Sequence, residues 1–335
     1  MTESFAPLQV EYQDRKTGLI VFGILTILTG CIMALFVPLI IWAQFVAAET
    51  TRVPVNPRAM IPAVIFCGLF AVTLIWLGIG SILTRRWARA LLLISSWTWL
   101  AIGIVSVAYL AFLLPQIMAV VDSNVRSSQT NAPKGVMTIV LIVQGIFSLI
   151  IYVILPGIWV LFYRSKNVRI TCEVRDPVPR WTDRCPLPVL AVSIWAAFGA
   201  VTMLIFPFLD GGVLPFFGVF LSGISGIAVC LVIAVLWGYS ARALYRLEWT
   251  GWWIFLVGMC VLSLSAVVTY LRHDLSEMYR LMGYPEQQVA QLEQFNVVFK
   301  GQTLAWSTVI FMVPCLGYLL YLRRFFTPRA LSESR

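Results

Sequence analysis

Apolar residues along this chain come in blocks of twenty or more, divided by short polar stretches in which arginine recurs. Leu19–Ile41 and Val136–Val160 are continuous blocks of this kind. A membrane span needs about 20 predominantly apolar residues. It must also satisfy its own backbone hydrogen bonds, which leaves a helix or a strand of a closed barrel. Barrel strands alternate in polarity over about ten residues, and these blocks do not alternate. The pattern predicts eight helical spans near 17–45, 59–83, 88–114, 136–163, 187–209, 213–241, 250–271 and 303–322. The first exceeds the bilayer and is expected to tilt or protrude. Val46-Ala47-Ala48 has the small residues of a signal-peptidase site, but the apolar run before it is too long for a signal peptide, so an uncleaved helix is expected.

Composition agrees. The chain is 60% hydrophobic and 12% charged, with mean hydropathy +0.89, whereas soluble domains are near half apolar and a quarter charged. The fold class expected is all-α, a polytopic transmembrane bundle.

The net charge of +9 would suggest nucleic acid in a soluble protein. Here it is read as topological arginine, and no nucleic-acid partner is expected. With eight spans, one side receives both termini and the loops after the second, fourth and sixth spans. That side holds seventeen of the 24 basic residues. Positive loops stay inside, so both ends are expected in the cytoplasm.

The chain also repeats itself. Ile27–Leu39 echoes Trp195–Phe208, setting Gly30 on Gly199 and Pro38 on Pro207. Ile82–Leu91 echoes Leu244–Trp253, setting Trp87 on Trp249, and Leu155–Lys166 echoes Val313–Arg324, setting Pro156 on Pro314 and Tyr163 on Tyr321. Order and near-constant spacing point to a duplicated four-helix unit. An even number of helices per unit makes the copies parallel, related by an axis along the membrane normal. The expected organisation is a tail at 1–16, a first repeat at 17–163, a linker at 164–186, a second repeat at 187–323 with an outer amphipathic loop at 272–302, and a tail at 324–335.

Candidate chemistry is sparse. The turns holding Arg85, Arg86, Trp87 and Arg89, and Arg242, Arg246 and Trp249, pair guanidinium groups that can hold lipid phosphate with indoles suited to the headgroup level. They are candidate contacts for an anionic lipid or a partner; plain topological anchoring is the simpler alternative. The linker holds Cys172, Glu173, Asp176, Asp183 and Cys185, but without a close ligand pair or a histidine. A solvated linker with reduced thiols is therefore expected rather than a zinc site. In the outer loop, Pro285 and the spacing of Val289, Leu292, Phe295 and Phe299 predict a short amphipathic helix. His273, the chain's single histidine, sits beside Asp274 and reads as a surface pair.

The span cores carry no Asp, Glu, Lys, Arg or His. Ionisable residues in a bilayer mark proton relays and ion paths, so their lack argues against pumps and charge-coupled carriers. Gln144, Thr29, Thr73, Ser95, Ser96, Thr98, Ser222, Ser225, Ser263 and Ser265 remain, and are expected to bond their own or neighbouring helices. Ser222-Gly223 and Ser225-Gly226 would allow close helix approach.

In its layout and its arginine–tryptophan turns the chain resembles a class of multi-pass bacterial membrane proteins without an assigned activity. That resemblance implies a bacterial cytoplasmic membrane and brings no site residue. The expected function is non-enzymatic, with no cofactor, acting through membrane lipids or a protein partner at the cytoplasmic linker. The alternative is a passive or facilitative carrier of a neutral or lipid-like molecule between the halves.

Topology yields a direct test. In a variant stripped of native cysteines, single cysteines at positions 128 and 291 should react with an impermeant reagent outside the cell. A cysteine at 174 should react only after the membrane is opened; labelling there from outside contradicts eight spans.

Overall fold

The computed structural model describes residues 12–51, 57–127, 134–294 and 300–326. The protein is an α-helical bundle with eight helices, among the described residues, long and apolar enough to cross a membrane. Helix α1 (Lys16–Thr51) packs along α2 (Pro57–Ile82), and a short turn leads into α3 (Arg86–Ser127). Helix α4 (Lys134–Leu149), a π turn (Ile150–Ile154) and α5 (Leu155–Arg164) together make the fourth span. After α6 (Lys166–Arg175) and a 3₁₀ turn (Trp181–Asp183), the second half runs through α7 (Leu187–Asp210), α8 (Gly223–Tyr245), α9 (Trp249–Tyr270) and α12 (Gly301–Leu322). Between α9 and α12 lie α10 (Leu275–Leu281) and α11 (Glu286–Gln294). The bundle is apolar outside, as a lipid-facing surface must be: Leu161 and Phe208 are 73% and 89% exposed.

Small residues bring α1 and α2 together. A methyl group built on Gly78 would lie 2.8 Å from the Gly23 carbonyl, and one on Gly30 would lie 3.1 Å from the Ala71 carbonyl. Close backbone approach is how helices associate where lipid removes the hydrophobic drive. Most spanning hydroxyls behave as expected: Thr29, Thr73, Ser96 and Ser263 donate to carbonyls one turn back in their own helices.

Several expectations need correction. Residues 213–222 are not part of the sixth span but form a hairpin, β1 (Leu214–Phe216) antiparallel to β2 (Val219–Leu221), with Phe216 opposite Val219. Its turn residues Phe217 and Gly218 both have positive φ, as a tight two-residue turn of this hand requires. Ser265 Oγ and Thr269 Oγ1 of α9 accept the Phe217 and Gly218 N–H groups at 2.9 Å each, so the hairpin is fastened to the bundle. The close approach at Gly226 is to the Gly212 carbonyl before this hairpin, not to another helix.

The third span, Arg86–Gln116, lies where expected, and its helix α3 continues past Pro115 to Ser127. The linker is not simply solvated. Helix α6 packs Val168, Thr171 and Cys172 inward, and Asp176, Thr182 and Cys185 are also buried.

Between α9 and α12, α11 forms where expected, with Val289 fully buried and Arg280 bridging to Glu286 and Glu293. The Leu292 side chain, Phe295 and Phe299 lie outside the described residues. His273 does not pair with Asp274. Its ring lies 2.7 Å from Glu277 and 3.0 Å from the Gly218 carbonyl, while Asp274 accepts the Gly301 N–H at the start of α12.

Of the prolines, Pro38 and Pro207 both sit inside continuous helices, whereas Pro156 and Pro314 differ. Pro156 cannot supply the N–H that the Tyr152 carbonyl would accept in an α-helix, and the chain opens into the π turn just before it. Pro314 lies within an unbroken α12. The Tyr152 carbonyl faces Gly103 of α3 so closely that an added methyl would overlap the oxygen.

Gly103→Ala should therefore destabilise the detergent-purified protein by about 1–3 kcal/mol, the usual cost of overpacking. Gly68→Ala, where an added methyl meets nothing within 4 Å, should not destabilise it. Equal melting temperatures for the two variants would show that α3 and the π turn are not in contact.

Candidate functional site: the arginine and tryptophan turns

The two turns are built on one backbone plan. Thr84 and Leu247 end their helices in the left-handed region, at φ 54° and 59°. In the first, Thr84 donates to Ser81 and Arg85 to Gly80; in the second, Leu247 donates to Leu244 and Glu248 to Ala243. This is the paired hydrogen bonding of a Schellman helix end, where glycine is the usual residue. A small pair packs across each turn. A methyl on Gly80 would meet the Ala88 methyl at 2.6 Å, and one on Gly251 would meet the Ala243 methyl at 2.6 Å. These contacts set Gly80 on Ala243 and Ala88 on Gly251, and so Arg86, not Trp87, on Trp249. The sequence echo was one residue out at this turn.

Side chains on this shared plan are used differently. At the first turn the linker folds over the arginines. Asp176, 3% exposed, accepts from the Arg86 N–H at 3.4 Å and from Arg180 at 3.2 Å, and lies 3.7 Å from Arg85. Arg86 also lies 3.6 Å from Glu173 and 3.7 Å from Asp183. Arg169 pairs with Glu173 at 2.8 Å. Arg175 pairs with Asp14 at 2.7 Å, tying the linker to the residues that lead into α1. Trp87 stacks on Trp76 with centroids 4.2 Å apart. Arg89 lies one turn into α3 with its Nε buried and without a hydrogen-bond acceptor among the described residues.

Electrostatics follow from this packing. Burial opposes charge on Asp176, but the Arg180 hydrogen bond, the Arg86 N–H and nearby Arg85 outweigh it and hold the carboxyl below the usual range. At Glu173 burial is likewise overcome, by Arg169 first and then Arg86 and Arg89. Hydrogen bonding to Arg175 holds Asp14 low. Burial pushes the Cys172 thiol up to about 11 and Cys185 up to about 12, so neither is a nucleophile at neutral pH. Among the described residues no group of three His, Cys, Asp or Glu is placed to hold a metal ion.

The second turn is left open. Arg242 and Arg246 are exposed, and their side chains make no ion pair or hydrogen bond among the described residues. Trp249 packs edge-on to Trp252 at 5.6 Å and against Phe326 at 5.7 Å. Trp252, 2% exposed, donates to the Leu319 carbonyl at 2.8 Å and fixes the start of α9 to the end of α12.

The seven candidate residues thus do not form a single site. Arg85, Arg86 and Arg89 belong to an internal charge cluster, whereas Arg242 and Arg246 face outward. The partners of the first group were present in the linker as Glu173, Asp176 and Asp183. The signal that could have found them was their charge opposite to the turn, not their potential as metal ligands. No family model, curated protein or solved structure matches this chain.

Asp176→Asn should destabilise the protein by about 1–3 kcal/mol at neutral pH, leaving buried donors without a charged acceptor. Because the folded pKa is depressed, the carboxylate's contribution is complete above the unfolded value of about 4 and is lost as pH falls through the folded value. The melting-temperature gap between wild type and variant should hold from pH 8 to 5 and close on further acidification. A gap independent of pH would show that Asp176 acts by shape rather than charge.

Proposed function

We propose that this multi-pass membrane protein is non-enzymatic and works by contact, with the open α8–α9 turn as the surface that meets a lipid or protein partner. One observation carries this reading. Of two turns with the same backbone plan, the first spends Arg85 and Arg86 on the linker's carboxylates, whereas the second presents Arg242 and Arg246 with no partner among the described residues.

The reading includes placement and origin. The bias in basic residues supports a cytoplasmic location for both termini and both turns, and the resemblance of the layout to multi-pass bacterial membrane proteins supports the cytoplasmic membrane of a bacterium. It also includes duplication of a four-helix unit, 17–163 and 187–323. In each half the first span packs on the second and the third on the fourth, and Gly30 and Gly199 both lie at the first–second contact, against Ile75 and Trp237.

The contact between halves weighs against a carrier. It is made by α3, whose Ile94 packs among Cys185, Val189 and Leu190, and by α2 against α7. Thr98 accepts from Trp195 at 3.1 Å, and Tyr109 donates to the Thr303 carbonyl at 3.2 Å. These polar groups are spent on one another.

A photo-crosslinking residue in place of Arg246 should give a discrete lipid or protein adduct in native membranes. The same probe in place of Arg175, which is held by Asp14, should not. Indistinguishable adducts from the two positions would remove the basis for treating the α8–α9 turn as the contact surface.

A further inference from the structure

A groove lies between α8 and α9, its lining ending at Trp237 and Ile254, about one to two helical turns short of the open turn. It encloses about 350 Å³ and is lined by residues such as Val232, Leu236, Ile254, Gly258 and Val261, with Phe216 of the hairpin among them. Its walls are almost wholly apolar, and it opens sideways on the bundle's exterior, where Val232 and Leu236 are 58% and 44% exposed. A methylene group fills about the space of a liquid water, roughly 30 Å³, so the groove has room for on the order of a dozen.

Polar groups stand in sequence at its basic end. Trp237 lines the groove, and its Nε1 would lie 3.7 Å from a methyl built on Gly258. That N–H has no acceptor among the described residues. One turn beyond Leu236 and Ile254, the Tyr239 and Thr250 hydroxyls lie 3.5 Å apart. The helical stripe through Val232, Leu236 and Tyr239 continues to Arg242 and Arg246. Arg242 lies five residues past Trp237, roughly 7.5 Å along the axis and about 140° round it, so its side chain reaches the groove's axis from the neighbouring stripe of α8.

We infer that this is a binding site for an anionic acylglycerol phospholipid. One acyl chain lies in the groove, an ester carbonyl accepts from Trp237 Nε1–H, and the phosphate meets Arg242 and Arg246. An apolar chain alone would leave the indole N–H unpaired, and a headgroup alone would leave the groove unfilled. The order of groups along the groove matches the order within such a lipid. Lipid is the solvent of this surface, and the paired exposed cations between the groove and the turn select negative charge. The inference rests on the reading of the α8–α9 turn as a contact surface and names its partner.

The test uses the full chain in detergent, exchanged against phosphatidylglycerol or phosphatidylcholine with identical acyl chains, with retained lipid counted by native mass spectrometry. The wild type should retain phosphatidylglycerol about tenfold or more over phosphatidylcholine, the preference that two basic residues at an anionic surface supply. R242Q with R246Q should abolish that preference and leave weak retention of both lipids. Trp237→Phe should weaken retention of both lipids severalfold while leaving the preference intact. Gly258→Leu should lose both lipids; Val261→Phe fills the groove from the lipid-facing side of α9 and should do the same if Gly258→Leu fails to fold. Arg164→Gln with Lys166→Gln removes equal charge from the same face and should change nothing. Equal retention of the two lipids by wild type, or a preference untouched by the Arg242 and Arg246 changes, overturns the inference. A protein adduct from position 246 without lipid selectivity would also overturn it, yet leave the contact surface standing.

Discussion

A helix bundle in lipid gains nothing by hiding one leucine behind another, because the solvent is as apolar as the core. The structure meets this constraint by fastening its spans at one end. Its two largest buried clusters both lie on the basic side. One holds Leu19, Leu77, Leu92, Tyr163 and Cys172; the other holds Val189, Leu244, Trp252, Leu319 and Phe326. They collect the beginnings of α1, α3, α7 and α9 and the ends of α2, α5, α8 and α12. Within the first cluster, Ser81 Oγ donates to the Leu19 carbonyl at 3.0 Å and lies 2.8 Å from the Tyr163 hydroxyl, joining three spans through one fully buried side chain. Water at this end restores a hydrophobic drive and makes ion pairs useful, so the linker can work as a clamp. Elsewhere the spans rely on close backbone approach.

That division explains what could be read from the chain. The spans were legible because length and continuous apolarity are demanded by the bilayer itself, whatever the helices touch. The hairpin was not, because Leu214–Leu221 is nearly as apolar as a span. Only Gly211, Gly212, Pro215, Gly218 and Gly223 distinguish it, and four of these five carry the positive φ that breaks a helix. The linker misled for the opposite reason. Its polar composition suggested solvent, yet its carboxylates neutralise the first turn's arginines and its Val168, Cys172 and Cys185 complete the buried clusters. The candidate site was legible as residue types and only half legible as function. A list of arginines and tryptophans does not reveal which guanidinium groups find a carboxylate within the same chain.

The shared turn makes this difference informative. Thr84 and Leu247 both adopt a left-handed conformation that costs a side-chain-bearing residue about 1–2 kcal/mol, and both retain the same two helix-ending hydrogen bonds. Around Gly80 and Ala88 the glycine precedes the alanine; around Ala243 and Gly251 the order is reversed, and the packing distance is kept. Backbone geometry is thus held while the charged side chains are free to take different partners. The linker's carboxylates come within reach of Arg85 and Arg86, and the second turn retains its charge for the outside.

The first contact of each half diverges in the same manner, with a consequence for the groove. At Gly23, Gly30 and Gly78, each glycine of α1 or α2 meets both a backbone carbonyl and an isoleucine of the other helix, and no aromatic ring stands between them. At the corresponding contact in the second half, Gly199 meets not a backbone but the ring of Trp237. An indole in place of a bare carbonyl turns the ring's far side toward α9, where Gly258 offers no side chain to meet it. Trp237 also touches Phe255, with centroids 5.8 Å apart, which fixes the ring on the basic side of the opening. The space between α8 and α9 therefore follows from a large residue packed into a glycine notch on one side and a glycine facing it on the other. Had Gly258 carried a branched side chain, the apolar walls would have closed, and the indole N–H would have had no ligand to meet.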